Sequence, residues 1–309
     1  MPRPFWLASY PKSGNTWFRL VVANLHGPQD TPADINNLPE RGGIASARQP
    51  FDNILLVESG LLTHDEVDRM RPMLHRFMAQ EDDSDFADPL QAREEEDRLD
   101  AKVGLVKVHD SYTLTDRGEP VMGGAAAAGG AIVIVRDPRD VAPSLANHSA
   151  RDIDRAIADM ANPGFAFCAG PNAQPNQLRQ QLQSWSAWHA SWLDQRDIPV
   201  HLVRYEDMQA DPVATIGAAL AFAGRPASRE ALERAVDLAR FDRLQAMEAE
   251  AGFREAPPGR TFFRQGKAGG WQSELSADQV ARIESDHADM MARLGYAAAS
   301  LQPVAASNG

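Results

Sequence analysis

The 309-residue sequence predicts one α/β domain: a central parallel sheet flanked by helices on both faces and connected by long variable loops. Three observations predict it. Ala131 to Val135 is a solid apolar run, the pattern of a strand covered on both sides. A second such run, Phe5 to Tyr10, leads through a short polar turn straight into a helical pattern. Apolar residues make up 43% of the chain, enough for a large core, so disordered and fibrous classes are excluded.

Taken in order, Phe5 to Tyr10 reads as a buried strand and Pro11 to Asn15 as its turn. Thr16 to His26 follows as a helix with Trp17, Leu20, Val21 and Leu25 on one face. Gly27 to Pro50 is rich in Pro, Asn and Gly and reads as loop. Glu81 to Asp100 sets ten acidic residues against Arg93 and Arg98 only, an acidic insertion or flap. Val103 to Val108 is a strand, and Gly123 to Gly130 a low-complexity flexible connector. After Ala131 to Val135, Asp137 is placed to cap a helix whose first turn holds Pro138. Asn162 to Asn176 is a Pro/Gly-rich loop. Trp185 to Leu193 is an aromatic-rich helix preceding the strand Val200 to Val203. Val304 to Gly309 reads as a frayed tail. No second α/β pattern accompanies these breaks, so residues 1–303 form one domain.

Forty-three acidic against 31 basic residues give a formal charge of −12, which excludes a general nucleic-acid or anionic-membrane surface. The 81–100 stretch carries −8 of it, leaving −12 − (−8) = −4 for the rest. The single cysteine, Cys168, excludes an internal disulfide framework and fits a reducing compartment. The N-terminus lacks the layout of a secretory leader, and no apolar run approaches the roughly 20 residues a bilayer requires. A cytoplasmic protein is expected.

The chemistry begins at Pro11-Lys12-Ser13-Gly14-Asn15-Thr16. A strand, this turn and a helix bring backbone N–H groups, a lysine and two hydroxyls to a positive helix end, which suits phosphate or sulfate. It is not the G-x-x-x-x-G-K-S/T loop of nucleotide kinases, because Gly14 follows Lys12 and no glycine precedes it at that spacing.

Tyr10-Pro-Lys-Ser-Gly-Asn-Thr-Trp17 resembles the 5′-phosphosulfate loop of the sulfotransferase family, Y-P-K-S-G-T-T-W, with Asn15 the one departure. Four further segments resemble the same family in the same order: Lys107-Val-His109, Arg136 with Ser144 eight residues on, Tyr205-Glu-Asp-Met208, and Arg264-Gln265-Gly266-Lys267 through Trp271. The resemblance implies a P-loop-like phosphosulfate-binding loop and the donor 3′-phosphoadenosine 5′-phosphosulfate (PAPS). It assigns Lys12, Ser13, Gly14, Asn15, Thr16 and Trp17 to the phosphosulfate end, and Arg136, Ser144, Arg264, Gln265 and Gly266 to the 3′-phosphate. Tyr205 and Phe241, with Trp17, would flank the adenine. Gln265 for Lys and Gly270 for Asp depart from the family's closing loop.

The resemblance also implies catalytic roles. His109 would take the acceptor's proton, chemistry that suits a side chain titrating near the working pH. Lys12 would stabilise the leaving phosphate and Lys107 would assist at the sulfonate. The other seven histidines, at 26, 64, 75, 148, 189, 201 and 287, read as surface or core residues. No histidine pair has metal-ligand helical spacing, so no metal is predicted. The expected partner is a small-molecule acceptor bearing a hydroxyl, or alternatively an amine, received by loops within 27–100, 149–183 and 244–262. The sequence leaves the oligomeric state open. A nucleotide kinase and a non-catalytic binder of PAPS or its desulfonated product PAP are the alternatives; the first lacks its glycine loop, and the second has no need of His109.

Overall fold

The computed structural model describes residues 3–28, 30–38, 43–80, 104–170 and 176–296. The acidic stretch 81–100, the first residue of the 103–108 strand and the 304–309 tail lie outside the described residues.

Strand β1 (Phe5–Ser9) runs into helix α1 (Asn15–His26). Helices α2 (Arg48–Leu55) and α3 (His64–Met78) follow, then β2 (Leu105–Val108). The chain continues through β3 (Gly130–Val135), α4 (Pro138–His148), α5 (Ile153–Ala161) and a small antiparallel pair, β4 (Ala166–Phe167) with β5 (Gln180–Gln181). Helix α6 (Trp185–Asp194) leads to β6 (Val200–Arg204), followed by α7 (Tyr205–Ala210), α8 (Pro212–Phe222), α9 (Arg229–Leu238), α10 (Phe241–Ala251) and α11 (Ala277–Arg293).

The main sheet is parallel with strand order β2-β1-β3-β6. Its side chains alternate between two cores, as the two-residue period of a strand demands. Trp6, Ala8, Val106, Val108, Ala131, Val133 and Val135 face a core that includes Leu145, Trp185, Trp188 and Met291. Leu7, Ile132, Ile134 and Val203 face the other, against Phe18, Leu20, Ile216 and Leu232. Both faces are therefore covered, which is why β3 is apolar at every position.

Register aligns the strand ends. Ala8 lies level with Val108 and Val133, and Val135 with Arg204. The residues that follow each strand, 10–14, His109, Arg136 and Tyr205, thus emerge along one carboxyl edge, where open α/β sheets bind ligands. Asp137 caps α4 by accepting from Arg139 N, with Pro138 at the first position as expected.

The expectation of a flexible connector at 123–130 is overturned. Gly124–Ala126 forms a helical turn, Ala127 and Ala128 are buried, and Gly130 already belongs to β3. The ring of Phe5 packs so closely over the backbone that a Cβ at Gly130 would lie 2.7 Å from it. Low complexity here reflects close packing, since only small residues fit between α3 and the start of the sheet.

Candidate active site

A cavity of about 770 Å³ opens at this carboxyl edge, within the usual size of a small-ligand site. It is lined by Lys12, Gly14, Asn15, Thr16, Trp17, Lys107, His109, Arg136, Ser144, Tyr205, Phe241, Arg264, Gln265 and Gly266 among others. Among the sequence-predicted site residues, Ser13 alone does not line it: its side chain is fully buried, and its Oγ has no hydrogen-bond partner.

The turn after β1 is held by its unusual residue. Asn15 Nδ2 donates to the Leu7 carbonyl (3.0 Å) and to Ser9 Oγ (3.2 Å), so the side chain ties the turn to the sheet. This accounts for the departure from threonine: the position fastens the loop to β1. Gly14 sits at φ +102°, and a Cβ there would lie 2.5 Å from the Tyr205 ring. Only glycine accommodates both the left-handed backbone and the ring.

Lys12 projects over the ring of Phe262, its Nζ 3.6 Å from the centroid. Burial, with Lys107 and Arg136 nearby, pulls its ammonium down to about 7, although Glu255 opposes the shift. His109 extends from the end of β2, its Nδ1 2.8 Å from the carbonyl oxygen of Ser9. Burial, reinforced by the charge of Lys107, lowers the ring to about 3, so it is neutral at ordinary pH. Its backbone is fixed too: Trp188 Nε1 donates to the His109 carbonyl (2.8 Å), and the next residue, Asp110, forms a buried two-pronged pair with Arg71 (2.8 and 2.9 Å).

Arg136 joins two loops. It donates to the Lys12 carbonyl (3.0 Å) and the Lys267 carbonyl (3.2 Å), and its guanidinium lies 4.3 Å over the Tyr205 ring. Trp17 meets the same ring edge-on at 6.2 Å and donates its Nε1 to the Ala239 carbonyl. Phe241, the first residue of α10, covers Gly266, where φ is +61° and a Cβ would collide with its ring. Tyr205, Trp17 and Phe241 thus supply aromatic surfaces of the cavity, with Phe167, Phe262 and Phe263 elsewhere on its wall.

The 264–271 loop differs from expectation in detail. Arg264 is engaged by Glu274, which also accepts from Gln265 Nε2 (2.9 Å). At Gly270 a side chain would run into Gln265. The amides of Gly269 and Trp271 are instead capped by Asp140 of α4, at 2.7 and 2.9 Å. A carboxylate reaching across from α4 therefore orders the loop around the position where the family pattern has Asp.

Three residues escaped the sequence reading. Arg19 lies one turn beyond Thr16 on α1, a spacing that could have revealed it. His148, read as a surface or core residue, is on the cavity wall, four residues beyond Ser144 on α4; burial, then Lys12 and Lys107, lower it to about 4. Glu255 had no sequence signal. His75 and His189, by contrast, are core histidines as expected.

A phosphate-cradling turn, clustered cations and a neutral histidine at the carboxyl edge of a parallel sheet define a group-transfer site for an anionic nucleotide donor. The sulfotransferase domain family matches residues 131–295, and the chain belongs to that family. Cytosolic sulfotransferase 17 of Arabidopsis thaliana is 25% identical over 297 residues, covering 92% of this chain and 72% of that protein. Flavonol 3-sulfotransferase of Flaveria bidentis is 22% identical over 298 residues, covering 92% and 80% respectively. Among solved structures, a mouse sulfotransferase complexed with PAP shares the fold at a TM-score of 0.54 and 17% identity, covering 94% of this chain and 84% of that one. Retinol dehydratase in a complex with retinol and PAP aligns at a TM-score of 0.56 and 17% identity, covering 94% and 81%. Among the described residues no helix is long and apolar enough to cross a membrane.

Proposed function

We propose that this sulfotransferase moves a sulfonate from PAPS to a hydroxyl, or alternatively an amine, of a small-molecule acceptor, with His109 as general base and Lys12 at the leaving phosphate. The observation that carries the reading is the convergence of Lys12, Lys107, Arg136 and His109 on one cavity at the ends of three parallel strands.

The residues present suit such a donor. Gly14 lets the Tyr205 ring pack against the turn, the buried Ser13 hydroxyl has no partner, and Trp17, Tyr205 and Phe241 offer aromatic surfaces for a base. PAPS supplies a sulfonate joined to phosphate through a bridging oxygen. His109 accepts the acceptor's O–H proton on Nε2 while the acceptor oxygen bonds to sulfur, and the bond from sulfur to the bridging oxygen breaks. Lys12 neutralises the charge gathering on that oxygen and Lys107 holds the sulfonate, so catalysis is positioning and electrostatics. Arg136, with Ser144, Arg264, Gln265 and Gly266, receives the 3′-phosphate. A cytoplasmic location suits the donor and the cytosolic relatives.

The acceptor side is assigned to the cavity residues Ile44, Phe167, Gln177 and Gln180, from the expected loops within 27–100 and 149–183, together with His148 at the end of α4. Androsterone and retinol accompany PAP in structures of retinol dehydratase, which favours small acceptors with an apolar body here. The test is an acceptor panel with PAPS, read as PAP release and the mass gain of one sulfonate. Turnover that His109→Ala abolishes while PAP affinity persists supports the reading. PAP binding without turnover on any acceptor would point to the non-catalytic binder.

A further inference from the structure

Glu255 places a negative charge beside the cations Lys107 and Arg19 on the cavity wall. It lies on the loop after α10, and its Oε1 accepts from Lys107 Nζ at 3.3 Å and from an Arg19 guanidinium nitrogen at 3.0 Å. Its Oε2 accepts from Thr16 Oγ1 at 3.2 Å. These partners come from the end of β2 and from successive turns of α1, so one carboxylate gathers donors from both elements at the transfer end of the cavity. The cations are nearly buried, 12% and 11% exposed, while Glu255 is 31% exposed. The arrangement is therefore a fixed cationic pocket with its counter-ion on the more open loop. Lys107 and Arg19 outweigh burial and hold the carboxylate near 2, so it is ionised at any working pH. Two carboxylate oxygens on two cations and a hydroxyl match the charge and hydrogen-bond pattern that a sulfonate would present to the same groups.

We propose that Glu255 is a built-in competitor for the transferring sulfonate and thereby sets how strongly the site holds sulfonate-bearing ligands relative to the bare nucleotide. The inference rests on the donor reading above. A PAPS molecule must displace Glu255 from Lys107 and Arg19. PAP has no sulfonate and leaves those contacts to Glu255, taking at most the Thr16 hydroxyl. After transfer, the sulfated product presents the same group to the same cations and meets the same competitor, which favours its departure.

The experiment is calorimetric titration of PAPS and of PAP, without acceptor, into wild type, Glu255→Gln and Glu255→Ala. The alanine variant covers the case in which glutamine keeps the Thr16 contact. The PAPS Kd is expected to fall about tenfold in both variants, with the PAP Kd moving less than about threefold. PAPS affinity unchanged or weakened in the variants would overturn the inference, as would equal strengthening of PAPS and PAP, which is general electrostatics. Wild type that binds neither nucleotide overturns the donor reading itself, and the inference with it.

Discussion

His109 Nδ1 lies 2.8 Å from the backbone carbonyl oxygen of Ser9, and this contact sets the tautomer of the ring. A carbonyl only accepts, so Nδ1 carries the proton and Nε2 is left as the free base. Ser9 is in turn fixed through its hydroxyl, which accepts from Asn15. The 10–15 turn and the base proposed at His109 are thus braced on the same residue.

His109→Ala is expected to lower kcat by about 10²- to 10⁴-fold, the usual contribution of a general base, with PAP affinity within about threefold of wild type. Steady-state kinetics beside PAP titration separates the effects. A parallel loss of both would mean that His109 shapes the site and does not act in the proton transfer.

Lys12, with its ammonium drawn down to about 7 chiefly by burial, is half-deprotonated near neutrality in the free protein. An anion beside it favours the charged form, so binding PAP above pH 7 takes up a proton. The sign follows: affinity is full below pH 7 and weakens as pH rises, by up to about tenfold per unit. Calorimetry at pH 8 in buffers of different ionisation enthalpy measures the uptake, and Lys12→Met should abolish it.

Gly14→Ala puts a Cβ 2.5 Å from the Tyr205 ring at a left-handed φ of +102°. The expected outcome is a loss of about 1–3 kcal/mol in stability, together with weakened nucleotide binding as the turn and ring separate. Denaturant unfolding and PAP titration check the two arms. Unchanged values in both would show that the turn relaxes without consequence.

Acid should begin to destabilise the fold at pH values above the ordinary carboxylate range. Burial holds His75 and His189 to about 3, well below the ordinary 6.5. Between those values the unfolded chain binds the protons and the folded one does not. Stability therefore falls as pH drops below 6.5, by about 1.4 kcal/mol per unit for each proton taken up. Guanidinium unfolding at pH 7.5, 6 and 5 measures the slope, and a flat profile would contradict neutral core histidines.

Much of this architecture was legible from local patterns. The central strands β1 and β3 announce themselves as apolar runs because both faces of the sheet are covered there, the edge strands β2 and β6 show as shorter apolar stretches, and Asp137-Pro138 marks the start of α4. The glycine-rich run 123–130 misled because composition cannot distinguish a loose connector from a tightly packed one. The helices α2 and α3 are absent from the sequence expectations, although Thr63 and Glu66 form a capping box that opens α3, and α3 buries polar residues such as Asp68, Arg71 and His75 beside apolar ones. Its ion pairs with Asp110 and Arg179 are invisible until the chain is folded.

The sequence alone determined the family resemblance and the residues at the strand ends, because a strand, a turn and a helix place Lys12, His109 and Arg136 by local geometry. Tertiary structure alone decided their surroundings. Glu255 reaches Lys107 across 148 positions and Thr16 across 239, and Asp140 caps Trp271 across 131. No local period encodes such pairs. They arise because a buried cation or amide must find a partner, and the fold determines which distant side chain is near enough to serve.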